Sequence, residues 1–130
     1  MEFKKEIIDC KEAPQAVGTY SQGVVFNGVY YFSGQIGIKP KTGHLAEGVL
    51  DQIKQILENI DTILGSQNLK RENIIKTTVF LTDLGNFSSV NEEYKIYFEK
   101  PYPARSCVEV SALPKDALVE IEVIAATNNV

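Results

Sequence analysis

The sequence predicts an α+β domain, a six-stranded mixed sheet with two helices on one face. Three observations predict it. Apolar residues recur at helical spacing in two stretches only, strand-like runs fill six others, and Asn27-Gly28 stands between two of those runs as a turn. The 130 residues suit one domain spanning 1–130, and 44% hydrophobic content is enough for a core without staples.

The elements follow in order. Phe3 to Asp9 is compatible with a strand. After a loop over Pro14 to Gly18, Val24-Val25-Phe26 and Val29-Tyr30-Tyr31-Phe32 flank Asn27-Gly28, whose preference for positive φ marks a type I′ hairpin. A polar loop with Pro40 and Gly43 follows. From Val49 to Leu64, Ile53, Ile56, Leu57, Ile60 and Ile63 recur at three- and four-residue steps. Asp51, Lys54, Gln55, Glu58 and Asp61 take the opposite side, so this is a long amphipathic helix that stops near Gly65.

Ile74 to Thr82 has strand composition, and Asp83-Leu84-Gly85-Asn86 breaks it. A second helix is expected from about Phe87 to Phe98, with an aromatic stripe of Phe87, Val90, Tyr94, Tyr97 and Phe98, ended by Pro101 and Pro103. Ala104 to Ser111 and Ala117 to Thr127 supply the last strands. Two helices cannot cover both faces of six strands, so they share one face, and an apolar open face would need a partner subunit.

Composition excludes several classes of function. A formal net charge of −4 opposes nucleic acid as a main partner, because a phosphate backbone calls for a basic surface. Cys10 and Cys107 are far apart, without metal-ligand spacing or a disulfide framework. His44, the single histidine, lies in a Gly/Pro-bearing loop, so no protein-built metal site and no cofactor is expected. The first residues are charged and lack a signal-peptide core, and no apolar run reaches membrane-spanning length. The cytoplasm is the expected compartment.

The last two strands hold the candidate site. Arg105, Cys107 and Glu109 alternate with Ser106, Val108 and Val110, while Glu120, Glu122 and Ile124 alternate with the apolar Val119, Ile121 and Val123. The second apolar set should meet the helices. If the two strands pair as a hairpin, Arg105 and Glu120 would stand close together on the helix-free face. They would form either a site for a small carboxylate or a solvated or structural ion pair. Cys107 is a nucleophile only if Arg105 lowers its pKa; otherwise it is an inert small hydrophobe. Tyr20, between Gly18 and Gly23, and Ser33-Gly34-Gln35, at a strand end, could face a ligand or merely serve loop structure.

With these residues in view, the chain resembles the RidA (YjgF-type) family, and in particular its 2-iminobutanoate/2-iminopropanoate deaminases. The resemblance runs nearly end to end. It is carried by Gly18-Thr19-Tyr20-Ser21-Gln22-Gly23, Ser33-Gly34-Gln35-Ile36, Pro40-Lys41-Thr42-Gly43, Lys76-Thr77-Thr78-Val79-Phe80-Leu81, Val90-Asn91, and Pro103-Ala104-Arg105-Ser106-Cys107-Val108-Glu109-Val110. Leu113-Pro114-Lys115-Asp116 and Val119-Glu120-Ile121-Glu122 complete it. Thr19 departs from the pattern, in which a proline commonly precedes the tyrosine.

The resemblance implies a chorismate-mutase-like subunit in a homotrimer, sheets facing inward, with three clefts between neighbouring subunits. It implies Arg105 as carboxylate anchor and Glu120 as the acid/base that positions water. Tyr20, Ser33, Gly34 and Cys107 would line the cleft, with Asn91 a further contributor. The implied reaction is hydrolysis of reactive 2-imino acids to 2-oxo acids and ammonia, without metal or cofactor, protecting pyridoxal-phosphate enzymes. Two other readings stay open. An endoribonuclease or translation inhibitor is opposed by the acidic composition and lone histidine, and a non-enzymatic regulator or chaperone would use the same clefts to bind small carboxylates.

Overall fold

Asn27 and Gly28 adopt φ of 50° and 78°, the left-handed geometry that a tight hairpin demands. They join β2 (Gly23–Phe26) to β3 (Val29–Phe32), and β1 (Glu6–Ile8) pairs with the outer side of β2. The computed structural model describes residues 3–128. The remaining elements are α1 (Gly48–Ser66), β4 (Ile74–Leu81), α2 (Phe87–Tyr97), β5 (Ala104–Glu109) and β6 (Val119–Ala126). Element order and type agree with the sequence reading, with boundaries shifted by a residue or two at most helix ends and strand ends.

The sheet order is β1-β2-β3-β6-β4-β5. β4 and β5 are parallel, as they must be when α2 carries the chain back across the sheet. The final strand β6 then enters between β3 and β4, antiparallel to both. The expected hairpin of the last two strands is therefore not formed. The crossover leaves β5 at the edge with β4 between it and β6, and no short turn could bridge that gap.

Both helices cover one side. Ile53, Ile56, Ile60, Ile63 and Leu64 of α1, with Val90, Tyr94 and Tyr97 of α2, pack on Val79, Leu81, Val119, Ile121 and Val123. Residues alternating with that set, such as Phe80, Glu120 and Ile124, face the helix-free side and are only partly buried. Two buried polar side chains on α1 staple loops to the core. Gln52 joins Ala46 and Leu118, at 3.0 and 2.8 Å, and Asn59 donates to the Ile38 carbonyl at 2.8 Å. Among the described residues, no helix is long and apolar enough to cross a membrane.

Candidate functional site

Arg105 lies on edge strand β5 beside Thr77 of β4. Thr77 is fully buried and points at the helices, and register partners share a face, so Arg105 also points to the helix side. There α2 meets it with one stripe, Phe87, Asn91 and Tyr94, spaced i, i+4 and i+7. Arg105 Nη1 donates to Asn91 Oδ1 at 2.8 Å. The guanidinium carbon stands 4.7 Å from the Tyr94 ring centroid and 5.3 Å from that of Phe87, both within cation–π range. Among the described residues no carboxylate pairs with Arg105. Its Nε–Nη2 edge has no partner there either. With Asn91, Tyr94, Lys95, Tyr102 and Pro103, Arg105 lines an open cavity of about 400 Å³. Among the described residues, the structural ion pair that the sequence left open is thus not formed.

Cys107 stands two residues along β5, half-buried on the same side as Arg105. Burial pushes its thiol above the ordinary range, and the Arg105 charge only partly opposes this. A raised pKa means less thiolate, which opposes a nucleophilic role for Cys107.

Glu120 belongs to a second cluster. The segment after β3 bends along β6, where Gln35 and Ile121 exchange backbone hydrogen bonds of 2.9 and 3.0 Å. This sets Gly34 directly against the Glu120 carboxyl group. A Cβ on Gly34 would overlap the carboxylate oxygen and approach its carbon to 2.8 Å, so a larger residue there would displace the Glu120 carboxyl group. Burial, reinforced by the Glu122 carboxylate, holds Glu120 above the ordinary carboxylate range.

Ser33 is locked by its own hydrogen bonds, Oγ to the Ser21 carbonyl at 2.6 Å and N–H to the Gln22 carbonyl at 3.0 Å. Gln22 is buried and clasps the Cys10–Pro14 loop. It accepts from Cys10 N–H at 2.6 Å and donates to the Cys10 and Pro14 carbonyls. A cleft of about 760 Å³ results, lined by Tyr20, Ser33, Gly34, Lys115 and Glu122 among others. Tyr20, half exposed, reaches it from the loop.

The two clusters do not meet within one chain. Glu120 pairs in register with Phe80 and Arg105 with Thr77. An odd offset of three residues on β4 puts the two side chains on opposite faces. Their Cα atoms are roughly 14 Å apart, from two strand spacings across and three residues along. The expectation that both stand on the helix-free face is wrong for Arg105 and Cys107 and right for Glu120. The cause is the interposed β4, together with a phase along β5 that alternation alone left undetermined.

Two separated clusters of this kind lead to the comparison with known proteins. A family model described as Endoribonuclease L-PSP matches residues 10–127, nearly the whole chain. The chain belongs to this family. It is 48% identical over 121 residues to the 2-iminobutanoate/2-iminopropanoate deaminase of Salmonella typhimurium, covering 91% of this chain and 94% of that protein. Among solved structures it is similar to the Rid-family protein YyfA of Yersinia pestis. That match has a TM-score of 0.93 and 52% identity, over 95% of this chain and 100% of the other. Escherichia coli TdcF with bound serine matches at a TM-score of 0.89 and 44% identity, covering 95% and 99%. The RidA resemblance read from the motifs is borne out.

Within this L-PSP/RidA frame, the sequence-predicted residues fall into two sets. Arg105, Cys107 and Asn91 gather on the helix side of β5, and Tyr20, Ser33, Gly34 and Glu120 at the β3–β6 end of the open face. Asn91 spends its side-chain oxygen on Arg105. Sequence reasoning missed Thr77, Phe87 and Tyr94 as the surroundings of Arg105. The i, i+4, i+7 spacing of Phe87, Asn91 and Tyr94 was the available signal, but an aromatic stripe reads first as core. Exposed His44 takes no part in either cleft.

Proposed function

We propose that the chain hydrolyses small 2-imino acids, 2-iminobutanoate and 2-iminopropanoate in the first instance, to 2-oxo acids and ammonia. The observation that carries this reading is Arg105: a guanidinium held between aromatic rings with a two-donor edge that no described carboxylate of the chain occupies. Such an edge matches a planar carboxylate, with each charge-assisted hydrogen bond contributing about 1.5–3 kcal/mol. The Salmonella relative named for this activity, and TdcF bound to serine, itself a small carboxylate, support the same ligand class.

Anchoring the carboxylate presents the C=N carbon to water. Glu120 takes a proton from that water as its oxygen bonds to the carbon of the protonated imine and the C=N π electrons move onto nitrogen, giving a neutral carbinolamine. The carboxyl group then returns its proton to the nitrogen, the C–N bond breaks, and ammonia leaves as the hydroxyl gives its proton to the Glu120 carboxylate and the carbonyl forms. A raised Glu120 pKa suits both halves of this relay, because the carboxylate is a stronger base and the acid is present nearer neutrality. The imine is already electrophilic, and each tenfold of rate requires only about 1.4 kcal/mol.

Arg105 and Glu120 can serve one substrate only if two chains meet. The site therefore lies between subunits of a homotrimer, with Arg105, Cys107 and Asn91 from one chain and Glu120, Tyr20, Ser33 and Gly34 from its neighbour. The helix-free face supports assembly. Ile7, Val24, Tyr31 and Ile124 align in register across four strands, and Ile7 and Tyr31 are 56% and 49% exposed. An apolar row of this kind suits a partner surface. The reaction would clear reactive imines released by pyridoxal-phosphate enzymes in the cytoplasm.

The deciding experiment generates both imines in situ and compares wild type with Arg105→Ala, which should fall to the uncatalysed rate while remaining trimeric. Near-full activity would defeat the assignment. The family description keeps endoribonuclease as a second reading. The net charge of −4 and the exposed lone His44 oppose it. RNA cleavage by wild type that vanishes in Arg105→Ala would revive it.

A further inference from the structure

We propose that Thr77 and Tyr94 act as a positioning pair that sets the plane of the Arg105 guanidinium, and through it the orientation of the bound carboxylate. This deepens the reading of Arg105 as anchor and rests on it. Thr77 is Arg105's register partner on the neighbouring strand. Thr77 is 0% exposed and Tyr94 4%, in a layer otherwise built from Val79, Leu81, Val90 and Tyr97. A hydroxyl in such a layer is costly unless it is paired. These two are paired with each other, oxygen to oxygen, at 2.9 Å.

For packing alone, a valine and a phenylalanine would fill nearly the same space without desolvating two hydroxyls. What the hydrogen bond adds is direction. It tethers the far end of the Tyr94 ring to the strand that runs beside Arg105, while Phe98 presses on that ring at a centroid distance of 4.6 Å. The ring so fixed is the shelf 4.7 Å from the guanidinium carbon. Phe87 sits seven residues, about 10.5 Å, away along α2, which puts the guanidinium between the two rings. Asn91, midway between them, holds Nη1. Rotation of the guanidinium about its own stem is thereby blocked, and the Nε–Nη2 edge is presented outward in one plane. A 2-imino acid, whose carboxylate is conjugated with its C=N bond, is flat, so setting the first plane sets the second.

The test uses full-length Thr77→Val, Tyr94→Phe, the double variant and Thr77→Ser, with Arg105→Ala as reference. Affinity is measured calorimetrically for 2-oxobutanoate and for 2-oxobutanamide, which lacks the carboxylate, and imine turnover is split into KM and kcat. The single variants and the double variant should lose carboxylate affinity and raise KM by on the order of five- to tenfold, short of the loss from a full 1 Å misplacement. Their kcat and amide affinity should stay near wild type. Thr77→Ser should restore both carboxylate readouts. The double variant leaves neither hydroxyl stranded, so it remains folded where a single one is destabilised. Wild-type carboxylate affinity and KM in the double variant would overturn the pair, as would equal losses for acid and amide. If Arg105→Ala binds 2-oxobutanoate normally, the anchor reading itself falls. If Arg105→Ala loses binding and the double variant does not, only the positioning role falls.

Discussion

Arg71 and Arg105 are assembled from nearly the same parts and differ in one. Arg71 stacks over Tyr97 of α2 at 4.1 Å and gives Nη1 to the Tyr97 carbonyl. Arg105 stacks over Tyr94, one turn earlier, and gives Nη1 to Asn91. The outer edge of Arg71 is filled by Asp61 of α1, Nε and Nη2 reaching its two oxygens at 3.0 and 2.7 Å, and the Tyr97 hydroxyl joins the same carboxylate at 2.7 Å. Burial and Asp61 push the Tyr97 phenol far above its ordinary pKa, so it stays a donor. The chain supplies its own carboxylate to Arg71 and none to Arg105 among the described residues. The first arrangement is complete and ties the turn before β4 to both helices; the second has its binding edge free.

The comparison is broken most severely by exchanging the fates of the two arginines. Arg105→Ala should abolish imine turnover and leave the urea midpoint near wild type. Arg71→Ala should keep turnover per folded molecule and cost about 1 kcal/mol, a figure kept low because half of the Arg71 side chain faces solvent. Loss of turnover in the Arg71 variant alone would reverse the assignment. Arg105→Lys should rank close to Arg105→Ala, since an ammonium cannot offer two coplanar donors.

Mixing subunits sharpens the same point. Arg105→Ala and Glu120→Gln, each inactive alone, should recover about one quarter of wild-type activity when refolded together, because one interface in four then pairs an intact Arg105 with an intact Glu120. No recovery in the mixed sample would defeat the proposal that Arg105 and Glu120 of neighbouring chains share a site. A smaller effect is expected from Gly34→Ala, whose methyl group displaces the Glu120 carboxylate. Turnover should drop roughly tenfold, toward the loss of a misplaced acid/base, with KM little changed; an unaltered kcat would remove Glu120 from the relay.

The smallest effect concerns stability. The folded-state pKa of Glu120 is raised, so folding binds its proton. That contribution is complete below the ordinary Glu value and is lost as pH rises through the folded one. Glu120→Gln should therefore gain on wild type as pH increases, with matched urea midpoints near about pH 4 and a higher midpoint for the variant near about pH 7. A gap that narrows with rising pH would contradict the cause assigned to the shift.

Much of the fold is legible in local residue pattern. Asn27-Gly28 encodes a turn through its own backbone preference, and the stripe from Ile53 to Leu64 encodes a buried helix face through spacing alone. Motif order carried the family, and with it the proposal of Arg105, Glu120, Tyr20, Ser33 and Gly34 as site residues. Alternation along Ala104 to Glu109 told which side chains share a face, and could not tell which face. That depends on register against β4, a contact between residues about thirty positions apart. The setting of Arg105 was hidden for a similar reason: Phe87 and Tyr94 look like core from their spacing, and only the docking of α2 beside the sheet edge turns them toward a guanidinium.

The chain's own letters determined the elements, their order, the family and the pair of residues on which the proposed chemistry depends, because these follow from preferences that act over a few neighbours. Tertiary structure alone decided that β6 enters between β3 and β4, and hence that Arg105 and Glu120 lie on opposite faces. The physical reason is that strand insertion is settled by pairing and burial across the whole sheet, which no local window contains. The proposed site is therefore one that a single chain encodes in full and only two chains together can assemble.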